Sequence, residues 1–114
     1  MPELRPPRRF DCPLPDYPSA YIVLPGKWLG KHWLRRDEAV KLGEKYRHPD
    51  FTRLVITLAL ADEFSLPGLE GPPQAWDLEQ VHLDVLQWLL QVVYAEVAVS
   101  FAECFTIPKA SSPP

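Results

Sequence analysis

Prolines divide this chain more sharply than any other feature of its sequence. Of its 14 prolines in 114 residues, six precede residue 20, three fall in 67–73 and three in the last seven residues. Proline lacks a backbone donor and disfavours helix at the residue before it, so long helices fit only between these groups. We therefore predict a Pro-rich extended arm at 1–19, a single folded domain at 20–107 and a tail at 108–114.

The charges are unevenly spread along the chain. Residues 1–50 hold ten Lys/Arg and seven Asp/Glu, about +3, and residues 51–114 hold two and eight, about −6, giving the net charge of −3. Such a split suggests charge-complementary contacts, either between copies in a homo-oligomer or with a partner. An unevenly charged solvated surface is the simpler explanation.

Composition places the protein among ordinary globular chains, with 46% apolar and 24% charged residues. Two distant cysteines, Cys12 and Cys104, do not make a disulfide framework, so we expect reduced thiols and a cytoplasmic protein. The N-terminal stretch lacks the apolar core of a signal peptide. The longest uncharged apolar run, Val85 to Ala95, is too short for a bilayer span, and we expect no membrane partner.

Periodicity predicts a mainly α fold with about three helices. They cover 35–47, where Asp37 and Glu38 suit a first turn, then 50–64, and then 77–105, where Asp77 suits a cap. The Val- and Phe-rich end of the third segment also fits a strand. Before the helices, "YIVL" at 21–24 has high β propensity and Pro25–Gly26 fits a type II turn, which predicts a short N-terminal β-hairpin or extended segment.

The stretch "ADEFSLPGLEGPPQAWDLEQ", residues 61–80 and here called the joint, connects the second and third helices. Its prolines and glycines stop either helix from continuing through it. Leu66, Leu69 and Trp76 are apolar where loops are usually polar. Either they fold back to cap the helices, with Trp76 as a hydrophobic staple near Val81, or they contact a partner.

The segment "KWLGKHWLRR", residues 27–36, interleaves Trp28 and Trp33 with basic residues. Stacking combined with phosphate attraction is how single-stranded nucleic acid is bound. The acidic total, with a pI near 5.5, disfavours that partner, because nucleic-acid-binding domains are usually basic. The alternative is that both tryptophans pack the β element onto the helices or contact a protein.

No catalytic, cofactor or metal signature accompanies these features. His32, His48 and His82 stand apart, without a CxxC or HxxxH pattern, and no phosphate-binding glycine loop occurs. Glu96 and Glu103 share a helix face, which fits a carboxylate pair less well than an ordinary surface or an oligomer contact. We predict a non-enzymatic protein without a cofactor.

The order of these features resembles small tail assembly chaperones of long-tailed bacteriophages. The resemblance covers about residues 20–110 and rests on "YIVLPGKWLG", on "DEAVKLGEKYRHPDFTRLVITLALADEFSLPGLEGPPQAWDLEQV" and on the end "IPKASSPP". It implies a mostly helical protein that binds the long helical tape measure protein during tail assembly, with tail tube subunits as further partners. Such chaperones often exist also as a longer frameshifted product, and "PKASSPP" looks like a point where such an extension could join.

A binding protein for a long amphipathic helix needs exposed apolar side chains and little enzymatic equipment. Trp28, Trp33, Leu66, Leu69 and Trp76 are the predicted partner-binding residues. The main alternative is a small regulatory or adaptor protein of a mobile element, binding nucleic acid through 27–36.

Overall fold

The computed structural model describes residues 7–105, which form a three-stranded sheet and three helices. The strands are β1 (Arg8–Asp11), β2 (Tyr21–Leu24) and β3 (Glu63–Ser65). The helices are α1 (Gly30–Gly43), α2 (Pro49–Leu60) and α3 (Leu83–Glu103). Mainly helical architecture with a small β element is therefore confirmed. The predicted tail at 108–114, with the "PKASSPP" extension point, and the first six residues of the predicted arm lie outside the described residues.

The sheet is antiparallel, in the order β1-β2-β3. Phe10 of β1 and Phe64 of β3 both pair with Ile22 of β2. Ile22 and Leu24 are fully buried against the helices, while their neighbours alternate to the outer face. The two edge strands carry charged residues, which suits edges that must not pair with another chain. The sheet thus joins the N-terminal segment to the chain that follows α2.

The predicted type II turn at Pro25–Gly26 is wrong. Only Gly68 and Gly71 among the described glycines have positive φ, at 81° and 79°. After β2 the chain bends and enters α1 at Gly30, five residues earlier than predicted. The β2 strand therefore finds its partners upstream and downstream rather than within 27–34.

Helix α2 is the centre of the core, as its apolar pattern predicts. Leu54, Val55, Thr57, Leu58 and Leu60 are buried. The buried Thr57 hydroxyl donates to the Arg53 carbonyl oxygen at 2.9 Å, so its polar atom is satisfied. The helix ends at Leu60 rather than at Phe64, because the chain continues into β3.

Helix α3 is shorter at its start than predicted and contains a π-helical segment. Asp77 accepts from the Glu79 amide at 3.1 Å and caps a single 3₁₀ turn, Leu78–Gln80, instead of the long helix. The long helix begins at Leu83, and Leu89–Tyr94 within it is π-helical. The Val- and Phe-rich end is helical, not a strand. Asp84, Gln87 and Gln91 of α3 are exposed.

By length and composition, α3 is apolar enough to cross a membrane, with a mean hydropathy of 1.5 over its most apolar window. Core helices of soluble proteins meet the same test. Here 39% of that window is buried inside the fold, where α3 packs against α2. The fold therefore covers part of α3 and leaves one side of it uncovered.

Candidate functional site: an aromatic groove between three helices

A groove opens between α1, α2 and the end of α3, with a volume of about 510 Å³. We call it the aromatic groove. Most of its wall is apolar, and most of it comes from α3 and from Phe105, two residues beyond the end of α3. Its lining residues are Trp33, Arg36, Ile56, Leu60, Tyr94, Val97, Ala98, Phe101, Ala102 and Phe105. Its size falls within the range of protein ligand sites.

Two half-exposed aromatic side chains, Trp33 and Phe105, stand together at this groove. Trp33 is 53% exposed and Phe105 is 49% exposed. Their rings meet edge to face with centroids 5.1 Å apart, an arrangement that aromatic pairs favour. Phe101 is buried, and its ring centroid lies 5.3 Å from that of Phe105, so it connects this pair to the core.

Trp28 is turned inward and anchors the chain before α1 to α3. Its indole Nε1–H donates to the Ser100 hydroxyl at 3.0 Å, and that hydroxyl donates to the Glu96 carbonyl oxygen at 2.7 Å. The indole also packs edge to face on Phe101, with centroids 5.4 Å apart. Trp28 therefore supports the groove from behind instead of presenting a free surface.

His32 closes the first turn of α1 from inside. The Leu29 backbone N–H donates to His32 Nδ1 at 2.8 Å, and the His32 backbone N–H donates to the Leu29 carbonyl oxygen at 2.9 Å. This reciprocal pair does the work of a capping box, with an imidazole in place of the usual carboxylate or amide. Burial lowers the pKa of His32, and the nearby Lys31 and Arg35 lower it further, while Asp62 opposes them.

Few charged side chains lie in or near the groove. Among the lining residues Arg36 is the only charged one, and its guanidinium donates to the exposed Asp37 carboxylate at 3.3 Å. On α3, Glu96 is paired with Arg8 of β1. Exposed ion pairs of this kind contribute little to stability, so Arg36 is available to a ligand.

Three of the predicted partner-binding residues are buried instead. Leu66, Leu69 and Trp76 are 5%, 3% and 5% exposed and belong to the hydrophobic core. Of the two alternatives for the joint, folding back onto the helices is the one that the structure shows. As placed, these three side chains expose very little surface to a partner, whereas Trp33 is 53% exposed.

The joint is fixed by hydrogen bonds as well as by burial. The Trp76 indole N–H donates to the Gly71 carbonyl oxygen at 3.2 Å, and the Trp76 carbonyl accepts from Lys45 Nζ at 3.2 Å. Just before them, Leu66, Pro67, Gly68 and Leu69 form a tight turn in which the Leu69 N–H donates to the Leu66 carbonyl oxygen at 3.3 Å. Proline followed by a glycine of positive φ is the type II pattern, which we predicted at the wrong Pro–Gly pair.

The sequence reasoning missed most of the groove. Phe101 and Phe105 lie four residues apart in "FAECF", the spacing that places two rings on one helix face, and this signal could have identified them. Arg36, Ile56 and Tyr94 carry no such signal, because only the tertiary fold brings the three helices together.

The titratable side chains within residues 7–105 do not gather into a metal-binding cluster. No group of three or more His, Cys, Asp and Glu side chains there could hold a metal ion. His32 lies against Trp28, His48 against Phe51 and His82 against Tyr17. Of the proposed carboxylate pair, Glu96 is paired with Arg8 and Glu103 is exposed.

Neither protein-family models, curated proteins nor solved structures match this chain.

Proposed function

We propose that this protein is a non-enzymatic assembly chaperone that binds an amphipathic helix of a client protein in the aromatic groove. The observation that carries the proposal is the pair of half-exposed rings, Trp33 and Phe105, beside an apolar wall. Large aromatic side chains in such positions are typical anchors of protein interfaces. Leaving them in water is unfavourable unless a partner covers them.

A helix suits this groove better than other occupants. Helix-in-groove recognition inserts a few apolar anchors from one helix face, at positions i, i+3, i+4 and i+7. A volume of about 510 Å³ accommodates two or three such side chains, while the rest of the helix lies on the surrounding surface.

The charges specify the polar side of the client helix. Arg36 on α1 favours a carboxylate where the client passes that helix, by simple charge complementarity. The acidic second half of the chain, about −6 over residues 51–114, favours basic residues elsewhere along the client. The client is therefore an amphipathic helix with large apolar anchors and mixed charges, rather than a uniformly basic or acidic segment.

The resemblance to tail assembly chaperones suggests the identity of the client. A tape measure protein is long and helical, and its apolar faces need cover until the tail tube forms around it. A small acidic protein with one apolar groove is suited to that task. On this proposal it acts in the cytoplasm of the host cell, and tail tube subunits are secondary partners.

The alternative, a regulatory or adaptor protein that binds nucleic acid through 27–36, has less support. Stacking of bases needs exposed aromatic faces. In this segment Trp28 is bonded to Ser100 and packed on Phe101, so Trp33 is the single tryptophan left for a base. We favour the helix-binding function for that reason.

The test compares two neighbouring residues of α1. Wild type, Trp33→Ala and Leu34→Ala are each co-expressed with a candidate tape measure protein, and complexes are measured by co-purification. Affinities are then measured by calorimetry with peptides of about 20 residues that cover its helices. Leu34 is 68% exposed and does not line the groove, so Leu34→Ala is the matched control.

We expect Trp33→Ala to weaken binding at least about 30-fold, since a central tryptophan typically contributes 2 kcal/mol or more. Leu34→Ala should bind as wild type does. Equal binding by all three proteins would exclude the groove as the client site. Salt-sensitive binding of single-stranded nucleic acid, without any peptide binding, would instead support the adaptor alternative.

A further inference from the structure

His32 is a buried side chain with one satisfied nitrogen and one unsatisfied nitrogen. It is 2% exposed. Nδ1 accepts the Leu29 N–H at 2.8 Å, so the ring proton of the neutral imidazole must be on Nε2. Nε2 is buried and has no hydrogen-bond partner within the part of the chain that the structure describes. The neutral ring thus already has one unpaired donor.

The ring lies directly behind the aromatic groove. It packs edge to face on Trp28, with centroids 5.3 Å apart, and Trp28 in turn packs on Phe101 of the groove wall. The next residue in the chain is Trp33, which meets Phe105 at the groove. The turn of α1 that His32 closes therefore carries one of the two exposed rings.

We propose that His32 is a pH-sensitive latch on the aromatic groove: protonation at mildly acidic pH opens the first turn of α1 and displaces Trp33. The opening itself is a property of the free protein. The release of a client rests on the function proposed above, because it assumes that the groove is the binding site.

The chemistry of the imidazole explains the latch. A protonated ring carries N–H donors at both nitrogens and no acceptor. Nδ1–H would then point at the Leu29 N–H, and Nε2–H would stay buried without an acceptor. Each unpaired buried donor is costly, so the charged ring is accommodated only if the turn opens to water.

Most of the charges around the ring disfavour its protonation. On α1, Lys31 and Arg35 repel a second positive charge, while Asp62, in the turn after α2, attracts it. From α3 the cluster receives Ser100 and Phe101, which are uncharged. Burial is the largest cause that lowers the pKa of His32 below its ordinary 6.5.

The direction of the pH effect follows from that lowered pKa. Between pH 6.5 and the lower pKa of the folded ring, the open turn binds a proton that the closed turn does not. The closed state is therefore fully favoured above pH 6.5 and is lost progressively as the pH falls through this window.

The test uses amide hydrogen exchange on the free protein at about pH 7.5 and about pH 5, corrected for intrinsic exchange rates. The reporters are the Leu29 and His32 amides and the Trp28 indole N–H, with the Leu58 amide of α2 as an internal control. His32→Gln is the matched variant, because glutamine at this position still accepts the Leu29 N–H but does not titrate.

In wild type we expect the three reporters to open up to about tenfold more for each pH unit below 6.5, until the folded ring itself is protonated. Leu58 should not respond, and His32→Gln should show no added opening at its reporters. Equal acid responses in the two proteins would overturn the latch.

A second measurement covers the case in which His32→Gln does not fold. The His32 ring and the Trp33 indole are followed by NMR titration of wild type. The latch requires the two to change together below pH 6.5, and an unchanged Trp33 would overturn it. Because both measurements use the free protein, a failure of client binding would reject the proposed function and leave the latch standing.

Discussion

Gly43 of α1 lies so close to Thr52 of α2 that a Cβ built on the glycine would be 2.8 Å from the Thr52 Cα atom. The neighbouring atom belongs to the backbone, so a side-chain rotation cannot relieve the contact. Gly43 therefore sets how closely the two helices approach, and with it the spacing between two walls of the aromatic groove.

We expect Gly43→Ala to destabilise the protein by about 1–3 kcal/mol, as overpacking does. This cost should exceed the gain of about 1 kcal/mol that alanine brings to a helix interior. The measurement is urea unfolding followed by circular dichroism.

Gly30→Ala is the control for that experiment. No atom of the described residues lies within 4 Å of a Cβ built at Gly30, so alanine there should be neutral or mildly stabilising. An unchanged or higher urea midpoint for Gly43→Ala would contradict the close-packing account.

Arg47 is the one described residue other than glycine with positive φ, at 51°. It is exposed and lies between the turn that follows α1 and the start of α2. A left-handed conformation costs roughly 1–2 kcal/mol for a residue with a Cβ. Replacing Arg47 with glycine removes this cost, but part of the gain in stability is offset because glycine is more flexible in the unfolded chain.

We therefore expect Arg47→Gly to raise the free energy of unfolding by about 0.5–1 kcal/mol. Arg47→Ala removes the same charge and keeps the Cβ, so it should show no increase. A gain of equal size in both variants would mean that the charge, and not the backbone conformation, is responsible.

The buried joint leads to a prediction that distinguishes packing in the core from contact with the client. Leu69 is 3% exposed and belongs to the core, so Leu69→Ala should cost about 2–5 kcal/mol in stability. Leu83→Ala, at a residue that is 65% exposed, should stay within about 0.5 kcal/mol of wild type. Thermal unfolding of both variants measures the difference.

If Leu69→Ala instead kept the stability of wild type but no longer bound the client, the joint would have to open when the client binds. That result would return Leu66 and Leu69 to the role of contact residues. The structure predicts the opposite outcome.

The Trp28–Ser100 hydrogen bond should be measurable as a coupling between the chain before α1 and α3. We expect a double-mutant cycle of Trp28→Phe and Ser100→Ala to give an interaction energy of about 0.5–1.5 kcal/mol, the usual net value of one such bond. A coupling near zero would mean that packing on Phe101 alone fixes Trp28.

The helices were predictable where a strong local pattern exists. Leu54 and Leu58 repeat at helical spacing in a segment with few charges, and α2 lies there. The start of α1 was not predictable by the same rules, because its cap is Leu29 with a histidine three residues on. A Ser, Thr or Asp followed by Glu would have marked it.

The sheet was only partly predictable because its pairing is non-local. β1 and β3 contain four and three residues, too few to show an alternating pattern. Phe64 pairs with Ile22 across about forty intervening residues, and nothing in the local sequence specifies that pairing. The strand at 21–24 was predicted because "YIVL" is strongly β-forming by itself.

The candidate site, like the sheet, was only partly predictable. The apolar character of Trp33 and of the joint was visible in the sequence, but exposure was not. Leu66 and Leu69 are buried and Trp33 is not, since exposure depends on which elements meet in three dimensions. The sequence identifies apolar residues, but it does not show which of them are buried in the core and which are exposed.

The π-helical segment of α3 has a consequence for how this protein tolerates changes in length. Val85, Leu89, Val93, Val97 and Phe101 are all buried, each four residues after the last. In a regular α-helix such steps drift by about 40° each, so the series would wind about 160° around the axis. The wider turn at Leu89–Tyr94 counteracts that drift and keeps the series facing the core.

Loss of a single codon within that turn would therefore be absorbed locally. The turn would become regular, and the rotation lost with the missing residue, about 100°, would equal the rotation that the wider turn now takes up. Phe101 would stay beside Trp28, and Phe105 beside Trp33. Loss of one triplet from the regular part of α3 before that turn, with the wider turn kept, would instead rotate the end of the helix by about 100° without changing any residue of the groove.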